Sequence, residues 1–137
     1  MRRRSWSSAG VRFFRLDHEA VVEELRGYAQ KALEKGARAV ILIGSLARGD
    51  YTAFSDADII IISDGVPERP MDRVIAFMDP TLSVDVEPRV YTTEEFLRMA
   101  GEARRIVREV VEHGVLLAGD GELIEEARRK LFSRTSQ

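Results

Sequence analysis

Apolar positions along this chain keep two different periods, and the switch between them marks its elements. Val21, Val22, Leu25, Tyr28, Ala29, Ala32 and Leu33 hold one face of a helix over about four turns. Asp17 is the expected N-cap of that helix, and Gly36 its stop after Lys35 in the last turn. Ala39-Val40-Ile41-Leu42-Ile43 then runs apolar without a break, inside a strand expected at 38–43 with both faces buried. Residues 45–50 read as a short helical turn and 57–63 as a second central strand. A loop at 64–67 leads to a helix at 71–78, stopped by Asp79-Pro80. A third strand is expected at 82–91, bent or ended near Pro88.

Thr92 and Glu95 have the spacing of a capping box. The helical pattern behind them runs through Phe96, Leu97 and Met99, then Ile106, Val107, Val110 and Val111. It should break near Gly101 and stop at Gly114. A short strand at 115–118 and an amphipathic helix at 122–132 complete the chain. Helices alternating with short strands give the class α/β (α+β), a small mixed β-sheet flanked by helices.

Composition narrows this picture. A chain of 137 residues, 45% hydrophobic, fits one domain with a modest core. That domain is expected at 13–137, behind a mobile basic tail at 1–12 that holds Arg2, Arg3 and Arg4. The longest apolar runs are far too short to span a membrane, and the basic start lacks the apolar segment of a signal peptide. Without cysteine, disulfides and thiolate-bound zinc are excluded. An intracellular, cytoplasmic protein is the expectation. The net charge of −2 argues against broad, non-specific nucleic-acid binding.

The chemistry concentrates in residues 44–58, Gly-Ser-Leu-Ala-Arg-Gly-Asp-Tyr-Thr-Ala-Phe-Ser-Asp-Ala-Asp. Gly44 has no Cβ to block a phosphate, and Ser45 opens a helical turn whose free N–H groups attract anions. Arg48, one turn on, could reach a phosphate or pair with Asp50. Asp56 and Asp58 lie two apart on a strand, so they share a side about 6.6 Å apart. Their repulsion of roughly 2–3 kcal/mol at an effective dielectric near 20 calls for a cation. Hard oxygen ligands of this kind suit Mg²⁺ or Mn²⁺ completed by substrate phosphates. Asp85, in Leu82-Ser83-Val84-Asp85-Val86-Glu87, offers a third acid as metal ligand or general base. Glu87 shares its face and is the fallback, though next to Pro88 it reads as rim. His18 and His113 read as structural.

Taken together, Gly44-Ser45, Arg48-Gly49, Ser55-Asp56-Ala57-Asp58 and Val84-Asp85-Val86 resemble the DNA-polymerase-β-like nucleotidyltransferase superfamily. More narrowly they resemble its minimal nucleotidyltransferases, over roughly residues 18–118. The resemblance implies that Gly44 and Ser45 hold the triphosphate, with Arg48 and Ser55 beside it. It implies that Asp56 and Asp58 bind the metals and that Asp85 completes a catalytic triad. The activity implied is Mg²⁺-dependent transfer of a nucleoside monophosphate, AMP from ATP, to an acceptor hydroxyl. Minimal nucleotidyltransferases commonly pair with a HEPN-domain ribonuclease toxin and act as its antitoxin by adding AMP to a tyrosine. Two other readings stay open: a small-molecule enzyme resembling aminoglycoside nucleotidyltransferases, and a non-catalytic module that grips a partner protein.

Overall fold

The computed structural model describes residues 7–51 and 56–135. Among them the order is α1 (Ser7–Glu34), β1 (Ala37–Ile43), α2 (Ser45–Arg48), β2 (Ala57–Ser63) and α3 (Pro70–Ala76). There follow β3 (Val86–Tyr91), α4 (Thr93–Gly101), α5 (Arg105–His113), β4 (Val115–Gly119) and α6 (Gly121–Thr135). The strands form one sheet in the order β3-β2-β1-β4. β1 is antiparallel to both β2 and β4, and β2 is parallel to β3. The mixed sheet expected from the sequence is therefore present.

The uninterrupted apolar runs of β1 and β2 feed two cores, one on each sheet face. Val40, Leu42, Ile59 and Ile61 meet Leu25, Tyr28, Ala29 and Ala32 of α1, with Phe77 at the end of α3. On the other face Ile41, Ile43, Ile60 and Ile62 meet Phe96 of α4, Val107, Val110 and Val111 of α5, and Leu123 and Leu131 of α6. Both central strands are thus sandwiched, as a continuous rather than alternating pattern requires.

Several boundaries differ from expectation, two of them for a plain physical reason. α1 begins at Ser7, so Asp17 lies within it rather than capping it. A capping residue starts a helix only where the preceding chain leaves helical geometry, and no proline stands in residues 7–17 to force that. Of the expected tail, residues 1–6 lie outside the described residues.

The third strand is shorter than expected, because its pairing with β2 begins only at Ala57↔Val86. Residues 82–84 lie outside β3, and the Ser83 hydroxyl donates to Glu24 of α1 at 2.7 Å. Asp85 therefore precedes β3 and is exposed, not set in the middle of an apolar strand. Pro88 sits inside β3, which an edge strand tolerates. The third difference is α3, which starts on Pro70 and ends at Ala76, ahead of Asp79-Pro80.

The capping box is formed as expected. Thr92 Oγ1 accepts from Glu95 N, and Glu95 Oε1 from Thr92 N. The break between α4 and α5 falls at residues 102–104, where Ala103 takes φ 58°. No helix among the described residues is long and apolar enough to cross a membrane.

Candidate active site

β1 ends at Ile43 opposite Asp58, the second residue of β2, so the Gly-Ser turn and the acidic strand start meet across one ladder. Gly44 makes that meeting possible. Its φ of 81° is left-handed, and a Cβ there would lie 2.4 Å from Asp58 Oδ2. Any other residue would strain the backbone and push that carboxylate aside. The Gly44 carbonyl closes the α2 turn, accepting from Ala47 N at 3.1 Å and Arg48 N at 3.0 Å. Gly49, also at positive φ, ends the turn through its N–H to the Ser45 carbonyl.

Arg48 turns back over this loop. Its Nη1 donates to Glu109 Oε2 at 2.7 Å, and its Nε to Asp50 Oδ2 at 3.4 Å. The hydrogen bond to Glu109 holds the guanidinium pKa above its ordinary value, with Asp50 adding to it. Of the two roles expected for Arg48 the structure shows the ion pair, made to Glu109 as well as to Asp50, beside the Gly-Ser turn.

The acids of β2 and β3 meet across the parallel ladder. Asp58 faces Glu87 in the β2/β3 register. By alternation Asp58 and Glu87 share the sheet face of Ile60 and Ile62, the face covered by α4, α5 and α6. The Glu87 carboxyl hydrogen-bonds to that of Asp56, which pushes its pKa above the usual range, aided by burial and by the charges of Asp56 and Asp58. Two carboxyls in contact must share a proton or a cation.

Asp85 contributes its backbone, accepting from Ala57 N at 2.8 Å. So the structure brings Gly44, Arg48, Asp56 and Asp58 together and adds Glu87, while Asp85, exposed like Asp56 and Glu87, lies just before β3. Among the described residues no three His, Asp or Glu side chains are already gathered as a metal-binding set. Ser55 lies outside the described residues. Glu109 was not singled out in the sequence, where one acid in a helical pattern gives no local signal. His18 donates from Nε2 to the Leu46 carbonyl at 3.2 Å and stacks on Tyr51 at 4.3 Å, a structural role as expected.

This geometry agrees with a family match. The model of the nucleotidyltransferase domain family matches residues 22–117, most of the chain. The chain belongs to that family. As a nucleotidyltransferase it has the expected class of activity, and its fold is also that of several solved structures. A toxin–antitoxin structure with AMP-PNP is 18% identical at a TM-score of 0.57, over 81% of this chain and 86% of that one. A variant of the MntA–HpeT toxin–antitoxin pair is 16% identical at 0.56, over 84% and 86%. The MNT antitoxin complex with tri-AMPylated Shewanella oneidensis HEPN toxin is 15% identical at 0.52, over 87% of each chain. At these identities the likeness is one of fold. No curated protein matches.

Proposed function

We propose that this nucleotidyltransferase moves AMP from ATP to a tyrosine hydroxyl of a HEPN-type partner, the role of an antitoxin. The observation that carries the reading is the contact between loop and acid: Gly44 leaves room for Asp58 where a side chain would collide. Such a site can hold a triphosphate against the acids of the next strand. Solved proteins of the same fold include a complex with AMP-PNP and one with an AMPylated HEPN toxin, which supports both the nucleotide and the acceptor.

In this reading the Gly44-Ser45 turn and Arg48 hold the phosphates, with Ser55 expected beside them. Asp56 and Asp58 hold Mg²⁺ or Mn²⁺, and the third acid is Glu87 in place of Asp85. The donor set fits such an ion, because the Asp56 and Glu87 carboxyls lie close enough to share a proton, which a hard divalent cation can replace. When bound, the ion supplies positive charge against the triphosphate. The acceptor oxygen attacks the α-phosphorus in line. The bond to the bridging oxygen breaks, pyrophosphate leaves, and the hydroxyl proton passes to a carboxylate of the site.

Co-expression with the product of a neighbouring HEPN-type gene tests the assignment. Intact-mass spectrometry of that partner should show AMP-sized additions that vanish with Asp56→Asn. A partner that stays unmodified overturns the acceptor.

A further inference from the structure

We propose that Glu109 is a built-in occupant of the phosphate seat, holding in nucleotide-free protein the position that a phosphate oxygen takes on binding. The inference rests on the nucleotide reading above and adds to it a competitor within the chain. One carboxylate oxygen, Glu109 Oε2, receives both Arg48 Nη1 at 2.7 Å and the Gly44 N–H at 3.4 Å. These donors lie 61 and 65 residues away in sequence, so the fold, not local chain geometry, aims them at one point. A guanidinium and a loop amide converging on a single anionic oxygen are the donors that a phosphate oxygen uses.

The carboxylate is placed to leave. α5 is anchored by Val107, Val110 and Val111, so the Glu109 backbone stays fixed while its side chain rotates. The pair is also partly open to solvent, with side chains 36% exposed at Arg48 and 26% at Glu109. Release therefore costs only a weak, half-exposed ion pair and disturbs no core contact. Asp58 crowds the same glycine from its α-carbon side. An incoming phosphate thus meets carboxylates on both sides, and a cation can neutralise the Asp58 side alone. Competition for the donors and charge repulsion both oppose phosphate entry.

The test is Glu109→Gln, which keeps the shape and an acceptor oxygen but removes the charge. Titration with ATP plus Mg²⁺, and separately with inorganic tripolyphosphate, should show about two- to fivefold tighter binding, the worth of releasing such a pair. The gain should shrink at high salt and when Arg48→Ala is added. Glu109→Asp, whose shorter carboxylate withdraws from the seat, should move affinity the same way and serves if the Gln variant melts early. Wild-type protein that binds while both variants bind equally or more weakly overturns the inference alone. Wild-type protein that binds neither probe overturns the nucleotide reading and this inference with it.

Discussion

At the scale of single residues, the third acid shows where a sequence stops being informative. Asp85 and Glu87 are two apart, so alternation puts them on one side and cannot choose between them. β3 pairs with β2 from Val86 onward, which sets Glu87 opposite Asp58 and Asp85 just before the strand. The preference for Glu87 proposed above therefore rests on its hydrogen bond to Asp56. Register between β2 and β3 depends on packing at both ends of a crossover, and no local pattern encodes it. Gly44, Asp56 and Asp58 can be singled out from sequence because their signal is local: a turn that needs glycine, and a two-residue step at a strand start.

The consequence is a comparison of two substitutions. Glu87→Gln should lower nucleotidyl transfer by about 10²-fold or more, the scale of a lost ligand or proton acceptor. Asp85→Asn, which leaves the backbone bond to Ala57 N intact, should stay within a few-fold of the parent. Transfer rates measured on one acceptor decide it, and the reverse ranking would return the role to Asp85.

At the scale of elements, legibility followed how local each signal was. The Thr92–Glu95 box is complete within four residues and formed as read. α1 did not begin at Asp17, because a capping side chain permits a start without imposing one. The box also has a second function that sequence spacing could not reveal. Glu95 receives the buried Arg73 guanidinium through Nη1 at 2.7 Å and Nη2 at 3.2 Å, and Arg73 also donates to the Val90 carbonyl at 3.1 Å. One ion pair thereby ties α3, β3 and α4 together.

Those bonds, led by the one from Arg73 and then by the Thr92 N–H, lower the Glu95 pKa from 4.5 to about 2. A carboxylate with a depressed folded value stabilises the fold above its unfolded pKa, and that contribution disappears as pH falls through the folded value. The window is therefore from about 4.5 down to about 2. Glu95→Ala leaves Arg73 buried without its partner and should cost about 3 kcal/mol at neutral pH. Denaturant melts of parent and variant should converge as pH drops through that window. A gap that stays constant down to acid pH would show that the lost stability came from packing and not from the ion pair.

At the scale of the whole molecule, the site is a product of long-range assembly. The loop comes from the end of β1, the acids from the starts of β2 and β3, and the covering glutamate from α5. Each piece is cheap to recognise or invisible by itself, and only the mixed sheet order brings them to one edge. A ligand held by all of them must stabilise the entire fold, since unfolding any one element destroys the site. Addition of Mg²⁺ and ATP together should therefore raise the melting temperature, with about 2.7 kcal/mol gained at a hundred times the dissociation constant. Asp56→Asn with Asp58→Asn should abolish that rise. The same double variant, without ligand, should melt no lower than the parent, because it removes like charges that crowd Glu87 and Gly44. Differential scanning fluorimetry with and without nucleotide reads both effects at once. A ligand-induced rise that survives the double substitution would place the nucleotide away from this edge. A ligand-free variant that melts well below the parent would instead show that the two aspartates are structural, held by partners stronger than their mutual repulsion.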